Sequence, residues 1–518
     1  MCRPSAIFLS LFFLTALFIA CNGDGARHIP TTEEWQEWSV LEYAVEVEPF
    51  QKELEHNTTV WPTPMYADNY TKQHYQQHPT SLIWVSRMGI DHRADTLLTW
   101  LNQAETLGFS PNVFYVDTLQ QLLRQLRNQD FGQESSSTIL GRLEFLLTRA
   151  FLRYACGQRY GFINPNYTFN HLLVDPPAAG EKRKTTIYRR IYDHESEQAT
   201  DSFVQVALDE VRHHRLSAFL RDIQPRDTLY SIMQHEFTRA KAAGDTTRQR
   251  LSRINMERAR WRYPHPSTSR YIFVNLASQQ LTAVDTRLDS VLSMRVCCGN
   301  ASHKTPLLHS IISRVELNPY WVIPQTIVRK EIMPRHVGDS AYYARNNYQA
   351  INKETKEIVD PASLSAADLR SARYTLRQEK GAGNSLGRII FRFPNNFSVY
   401  LHDTNNHSAF SYGNRAISHG CVRVEKPLDL ALFFLENPTP FFIDRIRMAI
   451  DLSPLSTEGK RYQAAHPDAN PLGYFTYDNP IPVWLDYWTL YPDPHGSLET
   501  HPDNYGYDRV IEKLFETY

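Results

Sequence analysis

The chain has 518 residues, 42% of them apolar and 21% charged, with a formal net charge of -1. That length exceeds one compact core and predicts two or three domains, while the composition excludes global disorder. The near-neutral balance provides no overall field toward nucleic acid or acidic lipid, so composition points to neither as a partner.

Residues 1–21 are the first recognisable element. Arg3 gives a positive start, and 6–20 is almost wholly apolar yet too short to span a bilayer comfortably, as in the core of an export signal. The run ends Phe18-Ile19-Ala20-Cys21, a small residue before a cysteine, as at a bacterial lipoprotein processing site. Lipidation of Cys21 and plain cleavage nearby are the two readings. Residues 22–80 are rich in Glu, Pro, Asn and Tyr without a sustained period and are expected to form an irregular arm.

From 81 to 245 the pattern predicts a helical domain. Ala94, Leu97, Leu98, Leu101 and Ala104 recur at helical spacing, with Gly108 placed as the stop. Leu119, Leu122, Leu123 and Leu126 repeat the stripe behind Asp117 as an expected N-cap, and 139–154 is a third helix. The segment 246–262 carries Arg248, Arg250, Arg253, Arg258, Arg260 and Arg262. It has no aromatic ladder or glycine loop beside it, so a solvated linking helix is expected rather than a nucleic-acid footprint.

Strand patterning begins at 271. Residues 271–276 and 281–285 flank a polar turn and predict a hairpin. Further strands are expected at 291–298, 311–317, 388–393, 398–402 and 421–424, with a helix over 427–435. Between them 325–387 is polar and helical in pattern and leaves through Gly381-Ala382-Gly383. An ordered insertion of that length between strands predicts a lid.

Cysteine usage fits neither a disulfide scaffold nor a zinc ribbon. Cys2 and Cys21 fall in the leader, leaving Cys156, Cys297, Cys298 and Cys421. Cys156 and the adjacent pair read as buried small apolar residues. Cys421 differs through its neighbours, because 399–424 also holds His402, His407 and His419. A thiol needs a base at hand to act as a nucleophile. Strands ending at His402 and starting at Cys421 bring base and nucleophile together across a sheet. Gly420 permits close backbone approach, and the amides of Gly420 and Cys421 are expected to face one oxyanion. Arg423 shares a strand face with Cys421 and is placed to hold a substrate carboxylate. A zinc site of His402, His407, His419 and Cys421 is the rival, although its spacings match no common closed-zinc pattern.

Ser418-His419-Gly420-Cys421-Val422-Arg423, with His402 nineteen residues before the cysteine, resembles the signature of the L,D-transpeptidase family, whose catalytic domain is called YkuD-like. Ile254-Asn255-Met256-Glu257-Arg258, Asn318-Pro319-Tyr320-Trp321, Leu386-Gly387-Arg388 and Pro482-Val483-Trp484 are similar to its large YcbB-type subgroup. The resemblance implies an α+β multidomain fold, with a helical scaffold domain (81–245) followed by a β-rich catalytic domain (246–510) carrying a capping insertion at 325–387. It implies Cys421 as nucleophile, His402 as base, the Asp403 carbonyl as its orienting group, and His419 and Gly420 at the oxyanion site. Arg423, Tyr320 and Trp321 would line the groove. No cofactor or metal is implied. The implied partners are peptidoglycan stem peptides: a tetrapeptide donor, attacked at its third residue with loss of D-Ala, and a diamino-acid amine as acceptor. Such an enzyme is expected to be exported, periplasmic, and tethered to a membrane if Cys21 is lipidated. Relatives often carry a peptidoglycan-binding module between scaffold and catalytic domain, and 243–255 is too short to hold one. An L,D-carboxypeptidase, which resolves the same thioester with water, and a non-catalytic wall-binding protein are the alternatives.

Overall fold

The computed structural model describes residues 46–86, 89–173, 188–261, 268–467, 472–493 and 496–517. The leader, Cys21 and residues 22–45 of the expected arm lie outside the described residues. Among the described residues no helix is long and apolar enough to cross a membrane. The chain forms two compact units. One holds the described residues up to Phe162 together with Ala199–Arg226, and the other holds the described residues of Ile163–Gln198 and Asp227–Thr517.

The first unit is built on the helix Ser136–Tyr160, whose N-cap Ser135 accepts a hydrogen bond from the Thr138 amide. Its apolar residues are buried around almost the whole circumference, so it acts as a central post rather than a surface helix. The leucine stripes at His92–Leu101 and Val116–Arg127 are buried as their spacing predicts. Tyr115, not Asp117, occupies the N-cap of the second, in the left-handed region at φ 58°.

The irregular arm expected over 22–80 is corrected where it is described: Val47–Val60 and Tyr66–Gln77 are helices. Their inward faces carry polar residues, which hid the period. Asp68, Thr71, His74 and Tyr75 are all buried. Burial of such groups is tolerated only when each finds a partner, and Asp68 does, lying 2.6 Å from Arg153 and 3.1 Å from Arg149. Glu144 closes the same unit. Its carboxylate accepts hydrogen bonds from the amides of Ile83, Trp84 and Val85 and from the Tyr75 hydroxyl.

The second unit is organised around a ten-stranded sheet. In spatial order its main strands are Ile389–Arg392, Leu401–His402, Val422–Val424, Ser290–Gly299, Gln280–Asp285, Arg270–Asn275, Tyr474–Asp486 and Leu307–Leu317. Leu307–Leu317 also pairs with Ile389–Arg392, so the path closes into a ring and leaves few free edges. The expected hairpin is present, with Arg270 opposite Asp285 and Asn275 opposite Gln280.

The insertion departs from the helical, polar pattern expected of it. Trp321–Val322, Tyr374–Gln378, Tyr348–Asn352 and Ile358–Val359 form a separate four-stranded sheet in that order. Val328, Ile332, Tyr343, Leu369 and Leu376 pack as its own core. Its strands are short, and only every second residue is apolar, a weak signal inside a polar segment.

Against the boundary expected at 245/246, the described residues of 227–245 and of 163–198 pack with the second unit. The cause is the helix Thr228–Ala243, whose Tyr230, Met233 and Phe237 pack with Met256 of Thr246–Arg260 and with Leu490. The arginine-rich helix is therefore not a solvated linker. Arg258 is 3% exposed and lies 2.7 Å from Asp508, and Arg260 pairs with Glu257 at 3.2 Å. Their partners compensate the desolvation that made burial improbable from sequence. Arg258→Leu, which strands the Asp508 carboxylate, is expected to cost about 3–5 kcal/mol in a urea titration followed by tryptophan fluorescence. A loss of about 0.5 kcal/mol or less would restore the solvated role.

Candidate active site

The site grows out of one parallel pairing. Leu401 lies opposite Val422 and His402 opposite Arg423. Paired residues on adjacent strands share a face, and alternate residues along each strand share it too. Tyr400, His402, Cys421 and Arg423 therefore project to one side, and all four line a cavity of about 640 Å³. The insertion supplies the facing wall, including Trp321, Lys330, Glu331 and Tyr348.

The strand order leaves the nucleophile loop no slack. Ser418 Oγ donates to the Cys421 carbonyl at 2.6 Å and accepts from the Gly420 amide at 3.1 Å. Thr305 Oγ1 donates to the Gly420 carbonyl at 2.8 Å. Gly420 has φ +118°, a conformation that a side chain would strain even though a Cβ there would meet only ordinary contacts, Val399 Cγ1 at 3.7 Å and the His303 carbonyl at 3.9 Å. The Gly420 amide, expected at the oxyanion, is thus committed to Ser418. The Cys421 amide has no hydrogen bond among the described residues and is the free donor beside the thiol.

Cys421 is the one half-buried thiol among the described cysteines; Cys156, Cys297 and Cys298 are buried. Surrounding protein pushes the Cys421 thiol up to about 11. The main-chain amide and hydroxyl of Tyr400, then Arg392 and Arg423, act in the opposite direction by favouring the thiolate. His402 is buried, and desolvation, followed by the positive charge of Arg423, holds its imidazole down at about 3. Main-chain groups of Asp403 and Leu386 oppose that shift, but Nδ1 completes no hydrogen bond. The resting pair is consequently a neutral thiol and a neutral imidazole.

Asp403 faces away from the cavity. Its carboxylate accepts from the amides of Arg388 (2.8 Å) and Thr404 (2.7 Å), and it lies so close to Gly387 that a Cβ there would meet Asp403 Cγ at 2.3 Å. Gly387, at φ +63°, is what lets the residue after His402 pack inward. His419 lies on the rim with Nε2 2.8 Å from Glu331 Oε1. His407 sits beside Asp403 at 3.6 Å and does not line the cavity. Among the described residues no group of three or more His, Cys, Asp or Glu side chains is placed to hold a metal ion.

Trp321 lines the cavity and Tyr320 does not. Neighbours along a strand face opposite ways, and the Tyr320 ring instead stacks under Arg377 at 4.0 Å and Lys380 at 4.8 Å. Tyr400 was missed in the sequence. It interacts with the Cys421 thiol, contacts the His402 ring edge-on at 5.7 Å, and carries Arg392 over its face at 5.1 Å. Its spacing two residues before His402 was the available signal. A second cavity of about 580 Å³, lined by Trp261, Tyr271, Trp484 and Tyr491, contains no thiol or histidine.

A family model described as a scaffold domain matches residues 69–236, beginning inside the segment expected to be an arm. A Haemophilus influenzae protein named "Putative L,D-transpeptidase" is 29% identical over 321 residues, which cover 61% of this chain and 60% of that relative's length. A second family model, the YkuD L,D-transpeptidase catalytic domain, matches residues 269–443, a span that contains the main barrel strands other than Tyr474–Asp486, the insertion, and the residues named for the cavity around Cys421. It is residues 269–443, rather than the whole chain, that match the YkuD L,D-transpeptidase catalytic domain, and the chain is similar to a putative L,D-transpeptidase.

Proposed function

We propose that this protein is a peptidoglycan L,D-transpeptidase in which Cys421 is the nucleophile and His402 its general base. The observation that carries the reading is the shared face of His402 and Cys421 on neighbouring parallel strands, opening on one cavity. Sγ attacks the carbonyl of the third residue of a tetrapeptide stem while His402 takes the thiol proton. The C–N bond to D-Ala then breaks, and the imidazolium returns that proton to the departing amine. A thioester remains on Cys421. The free amine of a neighbouring diamino acid attacks it, the C–S bond breaks, and the amine's proton reaches Sγ through His402. One hard amide exchange becomes two easier steps.

The electrostatics favour proton transfer in concert with attack over a standing thiolate–imidazolium pair. A base must be neutral to accept a proton, and the depressed His402 is neutral throughout the working range. The Cys421 amide is the donor for the tetrahedral oxyanion, and the loop around Gly420 and His419 shapes its surroundings. Arg423, whose Nε has no hydrogen bond, is the counter-charge for the donor's terminal carboxylate. Peptidoglycan lies outside the cytoplasmic membrane, so this reading requires export through the leader at 1–21, which ends either in lipidation of Cys21 as a tether or in plain cleavage nearby.

Incubating purified muropeptide tetrapeptides with the protein and with Cys421→Ala is expected to give dimers joined through two third residues in the first sample alone, read by mass spectrometry. Tripeptides without dimers would identify a carboxypeptidase, and no conversion in either would leave a wall-binding role. Iodoacetamide labelling of Cys421 is expected to accelerate about tenfold per pH unit from about pH 7 to about pH 9, because the thiolate fraction rises that steeply below a raised pKa. A rate already level near neutrality would show a pre-formed ion pair. Tyr400→Phe, which removes a hydroxyl that favours the thiolate, is expected to slow thioester formation on the order of tenfold. An unchanged rate would remove Tyr400 from the reaction.

A further inference from the structure

Glu331 stands out among the cavity residues. It is the only carboxylate among the described residues that line the cavity, against Arg423 and Lys330 as full cations. It comes from the insertion, on the wide turn Val328–Ile332, whereas the thiol and imidazole come from the barrel. One oxygen, Oε1, lies 2.8 Å from His419 Nε2, two residues before Cys421. No hydrogen bond or ion pair engages Oε2 among the described residues. Glu331 and His419 are half-exposed, at 48% and 44% of their side-chain surface, so the pair sits on the rim and not in the core. Behind His419 the ring of His303 lies 4.9 Å away.

The two substrates of a transpeptidase differ in charge near the reacting atoms. The donor carries a carboxylate one residue beyond the scissile bond, for which Arg423 is the matching charge. The acceptor approaches as a protonated primary amine, since such amines hold their proton well above neutral pH. It needs a carboxylate beside the thioester, and it must lose one proton before it can attack. A negative group among the acyl-donor contacts would instead repel the donor's terminus, which orients the two stems in the cavity.

We infer that Glu331 is the acceptor-binding residue, its free oxygen receiving the ammonium of the incoming diamino acid while His419 fixes the carboxylate toward Cys421. This rests on the reading of Cys421 as nucleophile, and it adds which group admits the second substrate. Because the pair is half-exposed, the proton shed by the ammonium has a direct route to solvent. The insertion thereby contributes chemistry to the second half-reaction as well as a wall to the cavity.

The test is equilibrium binding, which needs no turnover. A stem tripeptide with a free diamino-acid amine, and the same tripeptide N-acetylated on that amine, are titrated by NMR into Cys421→Ala and into Cys421→Ala/Glu331→Gln. The glutamine variant is expected to weaken the free-amine ligand about two- to fivefold, as for one partly exposed ion pair. The acetylated ligand is expected to bind both proteins equally. Equal weakening of both ligands would show that Glu331 merely holds the insertion in place, and no weakening of either would remove it from recognition; each result overturns the inference. Crosslinking by the unsubstituted enzyme is a separate measurement, so failure of the transpeptidase reading is told apart from failure of this one.

Discussion

Parallel pairing between the strand that ends at His402 and the strand that follows Cys421 is the constraint on which the site rests. A parallel pair cannot be joined by a tight hairpin, so the chain from Asp403 to Gly420 must leave the sheet and return. That excursion carries Asp403 into the interior against Gly387, and it brings back the loop that Ser418 and Thr305 tie down. Slipping the register by one residue would turn His402 and Cys421 to opposite sides of the sheet. Closure of the ring removes that freedom, because Val422–Val424 is also fixed by Ser290–Gly299 on its other side.

The same packing creates a conflict between order and reactivity. Rigid surroundings fix the thiol and the imidazole but strip both of water, which raises one and lowers the other. Arg423 pulls both downward, favouring the thiolate while disfavouring a protonated imidazole. A guanidinium that helps the nucleophile thus also keeps the base empty. Tyr400 contributes on the thiol side alone, through its amide and its hydroxyl.

Local patterns in the sequence were legible wherever one face of an element is apolar. The leucine stripes of 92–101 and 116–127, the hairpin at 270–285 and the cysteine motif could all be read directly. Where burial depends on a distant partner, the pattern misled. Arg258 looks solvated until Asp508, 250 positions later, is placed beside it. Asp68 and His74 look like arm residues until Arg153 and the helix Ser136–Tyr160 surround them. The core of the insertion was hidden for a related reason, since its short strands contribute one or two apolar residues each. Within the site, facing was the harder quantity: Tyr320 and Trp321 are neighbours in sequence and point to different environments, and the Gly420 amide was taken by a serine two residues away. Glu331 gave no local signal, because only tertiary structure brings it to His419.

Leu317 and Ile389 are opposite one another in the sheet, and Trp321 lies opposite Gln378 at the root of the insertion. The chain therefore departs from the barrel and rejoins it at neighbouring rungs of a single ladder. Loop-closure entropy grows only slowly with the length enclosed, and the insertion has its own core to offset the cost of ordering it. The barrel is in this respect a socket. A segment of different size could replace the insertion without shifting any strand register, which leaves the choice of substrate free to diverge while the thiol and imidazole stay where they are.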